Sequence, residues 1–260
     1  MKNRLAKLIN SFFKKFGYRL IEQQNKDWFD DFVGINEFEL KSLEIASKYS
    51  MTGFERMFFL IKAIKQIEID NVEGDFVECG VWRGGNLILF QRMIEKLNLK
   101  NRKIFAYDTY SGMSSPTQSD LNINNEKAED IINSLEKKGV DPENNIIFAK
   151  CDLENVKKNF QINTGKNDNL ICIKGKVEDT LKIKNNLPNK ISLLRLDTDW
   201  YESTKIELEV LFPLLSKNGI MIIDDYGYWK GSKKAVDEYF KDKNINLFKI
   251  DFTSRYLFKR

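Results

Sequence analysis

Five short apolar runs recur along the chain: Phe76–Cys79, Ile104–Tyr107, Leu170–Ile173, Ile191–Leu196 and Ile220–Ile223. Each is followed within two residues by a glycine or an acidic residue, and helical stretches lie between them. Runs this short and this uniformly apolar read as strands buried on both faces. Their alternation with helices predicts an α/β domain, a parallel sheet covered by helices on both sides. Such a sheet collects its ligands at the carboxyl ends of its strands. The residues that close each run are therefore the ones to read for chemistry. The tail breaks the rhythm, since Leu247–Phe252 and Arg255–Lys259 flank Thr253-Ser254 and predict an antiparallel hairpin closing the sheet edge.

Within the 260 residues there is no histidine. That removes Ser-His-Asp and Cys-His nucleophile pairs, His-ligated zinc or iron, and an imidazole base near neutral pH. Catalysis is left to carboxylates, lysines, tyrosines or a hard metal. Cys79, Cys151 and Cys172 are odd in number and widely spaced, which predicts free thiols in a reducing compartment rather than disulfides or zinc. No apolar run reaches the ~18–20 residues that span a bilayer, and no signal-peptide core is present, so a cytoplasmic location is expected. A net charge of +4, interspersed along the chain, gives no ground for nucleic-acid binding.

Residues 1–20 carry six basic and no acidic side chains, with Leu5, Leu8, Ile9, Phe12, Phe13 and Phe16 at helical spacing. This predicts a basic amphipathic helix, which either packs on protein, its own domain or a partner subunit, or rests on the inner membrane face. Residues 1–50 are taken as a helical appendage and 51–260 as the main domain. Between Ser111 and Gly165 an Asn-rich, charged segment interrupts the strands and predicts a lid or binding element. After the fourth strand, Thr204 and Glu207 are spaced as a capping box, the apolar face runs to Leu215, and Gly219 lies just past the helix.

Three constellations carry chemistry. In Glu78-Cys79-Gly80-Val81-Trp82-Arg83-Gly84-Gly85-Asn86 a strand ends in a glycine-rich turn that opens a helix, the setting for a nucleotide-type cofactor or simply a tight turn. Neither the dinucleotide G-x-G-x-x-G nor the P-loop pattern is present. Asp108 closes the second strand, placed to accept from ribose hydroxyls or to cap the next element. Asp197 and Asp199 close the fourth strand, Asp224 and Asp225 the fifth. Four carboxylates at neighbouring strand ends repel one another unless a cation joins them, and oxygen-only ligands select Mg²⁺ or Mn²⁺. Helix caps and surface ion pairs are the alternative for one or two of them.

Taken together, Met51-Thr52 with Glu55-Arg56, Val77 to Gly85, Asp108 to Met113, Lys174 to Leu181, and Leu194 through Trp229 to Tyr239 resemble, in order, the TylF/MycF-type sugar O-methyltransferases, also called macrocin O-methyltransferases. The resemblance implies a class I methyltransferase (Rossmann-like) fold, seven strands with the last antiparallel, and dependence on S-adenosyl-L-methionine and Mg²⁺. By the family's pattern Asp197, Asp224 and Asp225 hold the metal and Asp199 is the general base. Glu78, Gly80, Trp82, Gly84 and Asn86 line the methionine part of the cofactor, Asp108 the ribose, and Gly175, Val177 and Glu178 the adenine; Thr52 and Arg56 reach the cofactor carboxylate or the lid, and Ser111 is a further cofactor contact. The acceptor it implies is a sugar hydroxyl, in a surface glycan or a glycosylated natural product, with the enzyme a homo-oligomer. A catechol-like acceptor, or a non-catalytic binding protein on the same fold, are the competing readings. Where some relatives have a histidine near the substrate, this chain reads Asp224-Asp225-Tyr226-Gly227, which shifts the role of base to Asp199.

Overall fold

The computed structural model describes residues 34–99, 101–141 and 147–260. The amphipathic helix expected over residues 1–20 lies outside the described residues. The chain divides into two compact units, Met1–Leu40 and Lys41–Arg260. Of the first, the described residues include a reciprocal cap, in which Asn36 N donates to Glu39 and Glu39 N to Asn36 Oδ1, both at 3.0 Å. This cap opens α1 (Glu37–Ser47).

Lys41–Arg260 is built on one seven-stranded sheet: β1 (Asp75–Cys79), β2 (Ile104–Asp108), β3 (Leu170–Lys174), β4 (Ile191–Leu196), β5 (Leu215–Ile223), β6 (Phe248–Lys249) and β7 (Arg255–Phe258), in the order β3-β2-β1-β4-β5-β7-β6. The first five pair in parallel, and β7 enters antiparallel between β5 and β6. Strand order reverses at β1, which has β2 on one side and β4 on the other. That switch point opens a crevice beyond the strand ends.

Alternation along the strands sends Val77, Cys79, Leu194 and Leu196 into a core shared with Leu208, Leu211, Val236 and Phe240. That face is covered by α6 (Val177–Thr180), α7 (Tyr201–Leu211) and α8 (Lys230–Phe240). On the opposite side lie α2 (Phe54–Ile69), α3 (Gly85–Lys96) and α5 (Leu153–Thr164), where Phe76 packs edge-on against Phe90 with centroids 5.5 Å apart. A further helix, α4 (Ala128–Lys137), lies in the segment between β2 and α5.

Three expectations change. α7 begins at Tyr201, so Thr204 is inside the helix and donates its amide to Trp200 O at 3.0 Å; no Thr204–Glu207 capping box forms. The helix ends at Leu211, and Gly219 lies within β5 rather than past a helix end, because Leu215 already turns into the strand. The Ser111–Gly165 segment is not all lid: its end forms α5, capped by Asp152 accepting from Asn155 N at 2.8 Å, with Val156 and Phe160 buried. No helix among the described residues is long and apolar enough to cross a membrane. All three cysteines are free.

Candidate active site

Arg195 sits near the carboxyl end of β4, between Leu194 and Leu196, and is 2% exposed. A guanidinium buried this deeply requires partners on every side. It donates to Glu78 Oε1 and Asp197 Oδ2 at 2.7 Å each, to Asp224 Oδ1 at 2.6 Å and to Thr52 Oγ1 at 3.0 Å. The ends of β1, β4 and β5 and the loop before α2 are thereby fixed to one planar group. Arg56 extends the network from α2, donating to Asp224 Oδ2 and, at 2.7 Å, to Asp251 Oδ2.

Around this cation the carboxylates crowd together. Asp197, Asp199 and Asp225 each present an oxygen within 4.8 Å of the others, an oxygen-only set able to hold a divalent cation. Burial, followed by Asp225 and other near charges, raises the Asp197 carboxyl; it pushes Asp199 up to about 7 and Asp224 up to about 6. Asp225 is pushed well above the usual carboxylate range by burial and by the facing Asp199 and Asp224. Its buried Oδ2 has no hydrogen-bond partner among the described residues. Repulsion and an orphaned oxygen are what a bound cation would relieve. Geometry thus groups Asp199 with Asp197 and Asp225, and sets Asp224 between two arginines.

The cofactor half is shaped by turns. Gly80 has φ 81°, and a Cβ there would run into the Asp197 carbonyl, so the close approach of β1 to the acidic turn needs glycine. Asp108 Oδ2 accepts from Val81 N at 2.7 Å and Trp82 N at 3.2 Å, while Oδ1 accepts from Tyr110 N at 2.7 Å and Thr109 Oγ1 at 3.4 Å. The side chain thereby ties the glycine-rich turn to the end of β2, a role closer to the cap than to an empty ribose acceptor. Gly175, with φ 140°, donates its amide to Asp108 O at 2.9 Å and leads into Val177 and Glu178 at the start of α6.

The acidic turns and the cofactor turns open onto one cavity of about 730 Å³. Thr52, Arg56, Gly80, Trp82, Asp108, Gly175, Val177, Glu178, Asp197, Asp199, Asp224 and Asp225 line it. Four other residues expected at the site are not on its wall. Glu78 and Asn86 are buried behind it, where Asn86 Nδ2 bridges Glu78 Oε1 and Thr52 Oγ1 at 2.9 and 3.0 Å and burial pushes Glu78 up to about 7. Gly84 packs against Val156, and Ser111 is exposed beyond the rim.

The opposite wall comes from the segment after β2. Met113, Asn122, Ile131 and Ile132 face the cavity together with Trp200, Tyr228 and Trp229. The two tryptophans meet edge-to-face at 5.0 Å. Buried Asp120 stitches this wall to the acidic turns. Its Oδ2 accepts from Thr117 N and Oγ1 at 2.6 and 2.8 Å, and its Oδ1 caps α7 by accepting from Tyr201 N at 2.7 Å. Trp200 Nε1 donates to Ser114 O at 2.8 Å, and Lys230 N to Leu121 O at 2.8 Å. The stretch from Ser114 to Ala128 is thus a bonded wall of the site.

Sequence reasoning missed Arg195 and Asp120. The signal for Arg195 was there: one arginine inside an apolar run ending in aspartates has to be buried and paired. Asp120 carried none, since its partners are 81 residues away or set by a local turn.

The model of the macrocin O-methyltransferases (TylF) matches residues 44–259. A demethyldecarbamoylnovobiocin O-methyltransferase of Streptomyces niveus is 29% identical over 195 residues, 75% of this chain and 68% of that protein. An 8-demethyl-8-(2,3-dimethoxy-alpha-L-rhamnosyl)-tetracenomycin-C 4'-O-methyltransferase of Streptomyces olivaceus is 31% identical over 192 residues, 74% of this chain and 67% of that one. Among solved structures, the O-methyltransferase NovP superposes with a TM-score of 0.68 at 28% identity, covering 81% of this chain and 82% of its own. A match of this extent, over a sheet whose acidic strand ends converge on one cavity, assigns the enzyme class: the chain belongs to the macrocin O-methyltransferase (TylF) family.

Proposed function

We propose that the chain transfers the methyl group of S-adenosylmethionine to a hydroxyl of a sugar, with Mg²⁺ held by Asp197 and Asp225, with Asp224 beside them paired to two arginines, and with Asp199 taking the proton. One observation carries this reading: the carboxylates that end β4 and β5 converge, partly unpaired, in the cavity that the glycine-rich turn also lines. The volume of about 730 Å³ lies in the upper part of the range for small-molecule sites, room for a cofactor and an acceptor together.

When bound, S-adenosylmethionine supplies an electrophilic methyl with a neutral leaving group, and Mg²⁺ lowers the pKa of a hydroxyl beside it. The rest is done by the chain. Asp197 and Asp225 present oxygens from adjacent strand ends, and Arg195 and Arg56 keep Asp224 anionic beside them. Asp199 accepts the acceptor's proton at its carboxylate, which lies among the converging carboxylates on the cavity wall. Gly80, Trp82 and Asp108 position the methyl donor. A ribose hydroxyl would replace the long 3.4 Å contact from Thr109 on Asp108, leaving the amide bonds of the turn intact. Trp200 and Trp229 screen the reacting atoms from water, and alignment in line with the methyl supplies much of the rate.

The relative that acts on a rhamnosyl tetracenomycin supports a sugar hydroxyl, and supports a glycosylated natural product as the acceptor. The test is methyl transfer from labelled S-adenosylmethionine, with Mg²⁺, to a panel of glycosides and of catechols. Methyl ethers mapped to a sugar oxygen are expected; transfer confined to catechols would refute the sugar reading.

A further inference from the structure

Beneath the acidic turn, α7 carries a carboxyl that the chemistry above leaves unused. Glu207 is 0% exposed, at the interface between α7 and the sheet. Its Oε1 accepts from Thr198 Oγ1 at 2.9 Å, its carboxyl lies against the Cys79 thiol, and its buried Oε2 has no hydrogen-bond partner among the described residues. Burial drives its pKa well above the usual carboxylate range. An acid placed so deep, with one oxygen unsatisfied, costs stability. An apolar side chain would fill the same space without that cost.

The contact that Glu207 does make explains its place. Thr198 stands between Asp197 and Asp199. Its carbonyl accepts from Trp200 N at 2.7 Å and Ser203 Oγ at 3.3 Å, so α7 grips the residue by both its main chain and its side chain. On one side of it Asp197 donates its amide to Cys79 O at 2.9 Å. On the other, Asp199 has φ 66°, a left-handed conformation that is uncommon outside glycine and that costs backbone energy to hold. Without the side-chain bond, Thr198 would be free to turn, and Asp199 would relax out of this conformation and away from Asp197 and Asp225.

We propose that Glu207 is a positioning residue: through the Thr198 hydroxyl it holds Asp199 in its left-handed conformation, and so sets the spacing of the carboxylates that hold the metal and take the proton. This inference rests on reading the acidic turn as that site. Asp199 touches the reacting groups; Glu207 acts only through Thr198.

The test uses the whole chain with Thr198→Val, which keeps shape and deletes the hydroxyl, Glu207→Leu, Glu207→Gln, which keeps an oxygen to accept from Thr198, and the Thr198→Val/Glu207→Leu double variant. Two quantities are read: hydrogen exchange of the peptide covering residues 197–204 in metal-free protein, and Mn²⁺ affinity without cofactor or acceptor. Thr198→Val and Glu207→Leu are expected to speed exchange and weaken Mn²⁺ binding by about tenfold or more, the usual range for the layer behind metal ligands. Glu207→Gln should restore both, and the double variant should be no worse than either single change. If Glu207→Leu fails to fold, Thr198→Val carries the test. Native exchange and native Mn²⁺ affinity in Thr198→Val would overturn the role of Glu207. If the native chain binds no Mn²⁺, the metal reading fails instead, and the exchange comparison still decides whether Glu207 holds the turn.

Discussion

Replacing Arg195 by methionine tests the network at its centre. The side chain is 2% exposed and donates to three carboxylates and a threonine. Its loss leaves Glu78, 1% exposed, and Asp224, 4% exposed, without their main cation. Removing one partner of a buried ion pair costs ~3–5 kcal/mol, against a total stability of ~5–15 kcal/mol for an ordinary domain. At ~2–4 °C per kcal/mol for a chain of this size, the melting temperature should fall by roughly 6–20 °C at pH 7.5. The deficit has a signature. Glu78 and Asp224 have pKa values pushed up to about 7 and about 6, so at pH 5.5 both are largely protonated and need the cation less. Thermal unfolding of the metal-free proteins at the two pH values is the assay. A loss below ~1 kcal/mol at pH 7.5, or a loss of equal size at both pH values, would refute the argument that Arg195 neutralises these groups.

Three further outcomes follow from the same geometry. A Cβ at Gly231 would collide with Asp120 Oδ1, the atom that caps α7, so Gly231→Ala should destabilise the chain by ~1–3 kcal/mol and raise KM for the acceptor more than KM for the methyl donor; steady-state kinetics and melting check both. The native chain without metal should lose stability as pH rises from ~4 to ~7, because Asp199, Asp224 and Glu78 bind protons more tightly folded than unfolded. Mg²⁺ should raise the melting temperature more at pH 7.5 than at pH 5.5, and an equal rise at both would contradict a site built of these carboxylates.

Much of the fold was legible because buried parallel strands leave an unbroken apolar signature. The strands read from Phe76, Ile104, Leu170 and Ile191 all begin within one residue of those positions. β5 was read five residues short, since Lys217, Asn218 and Gly219 look like a helix stop when only local pattern is considered. The grouping of acidic residues was legible for the same topological reason: residues that end adjacent parallel strands meet. What was not legible depends on side chains meeting across the fold. Glu78 and Arg195 are 117 residues apart, and their bond turns an apparent cofactor contact into a buried strut. Asp108 read as a ribose acceptor or a cap, and the sequence could not show that its Oδ2 accepts from amides of a turn 26 and 27 residues upstream. Glu207 matched a capping box by spacing, yet the cap of α7 comes from Asp120, in a segment that composition alone marks as a lid.

The account turns on a divalent cation among the carboxylates of β4 and β5. The direct measurement is the rate of methyl transfer from S-adenosylmethionine to a glycoside acceptor in protein stripped by a chelator, before and after Mg²⁺ is restored, beside Asp225→Asn treated in the same way. The account predicts background transfer in the stripped protein, full recovery with Mg²⁺, and no recovery in Asp225→Asn. An undiminished rate in the stripped native protein would contradict it.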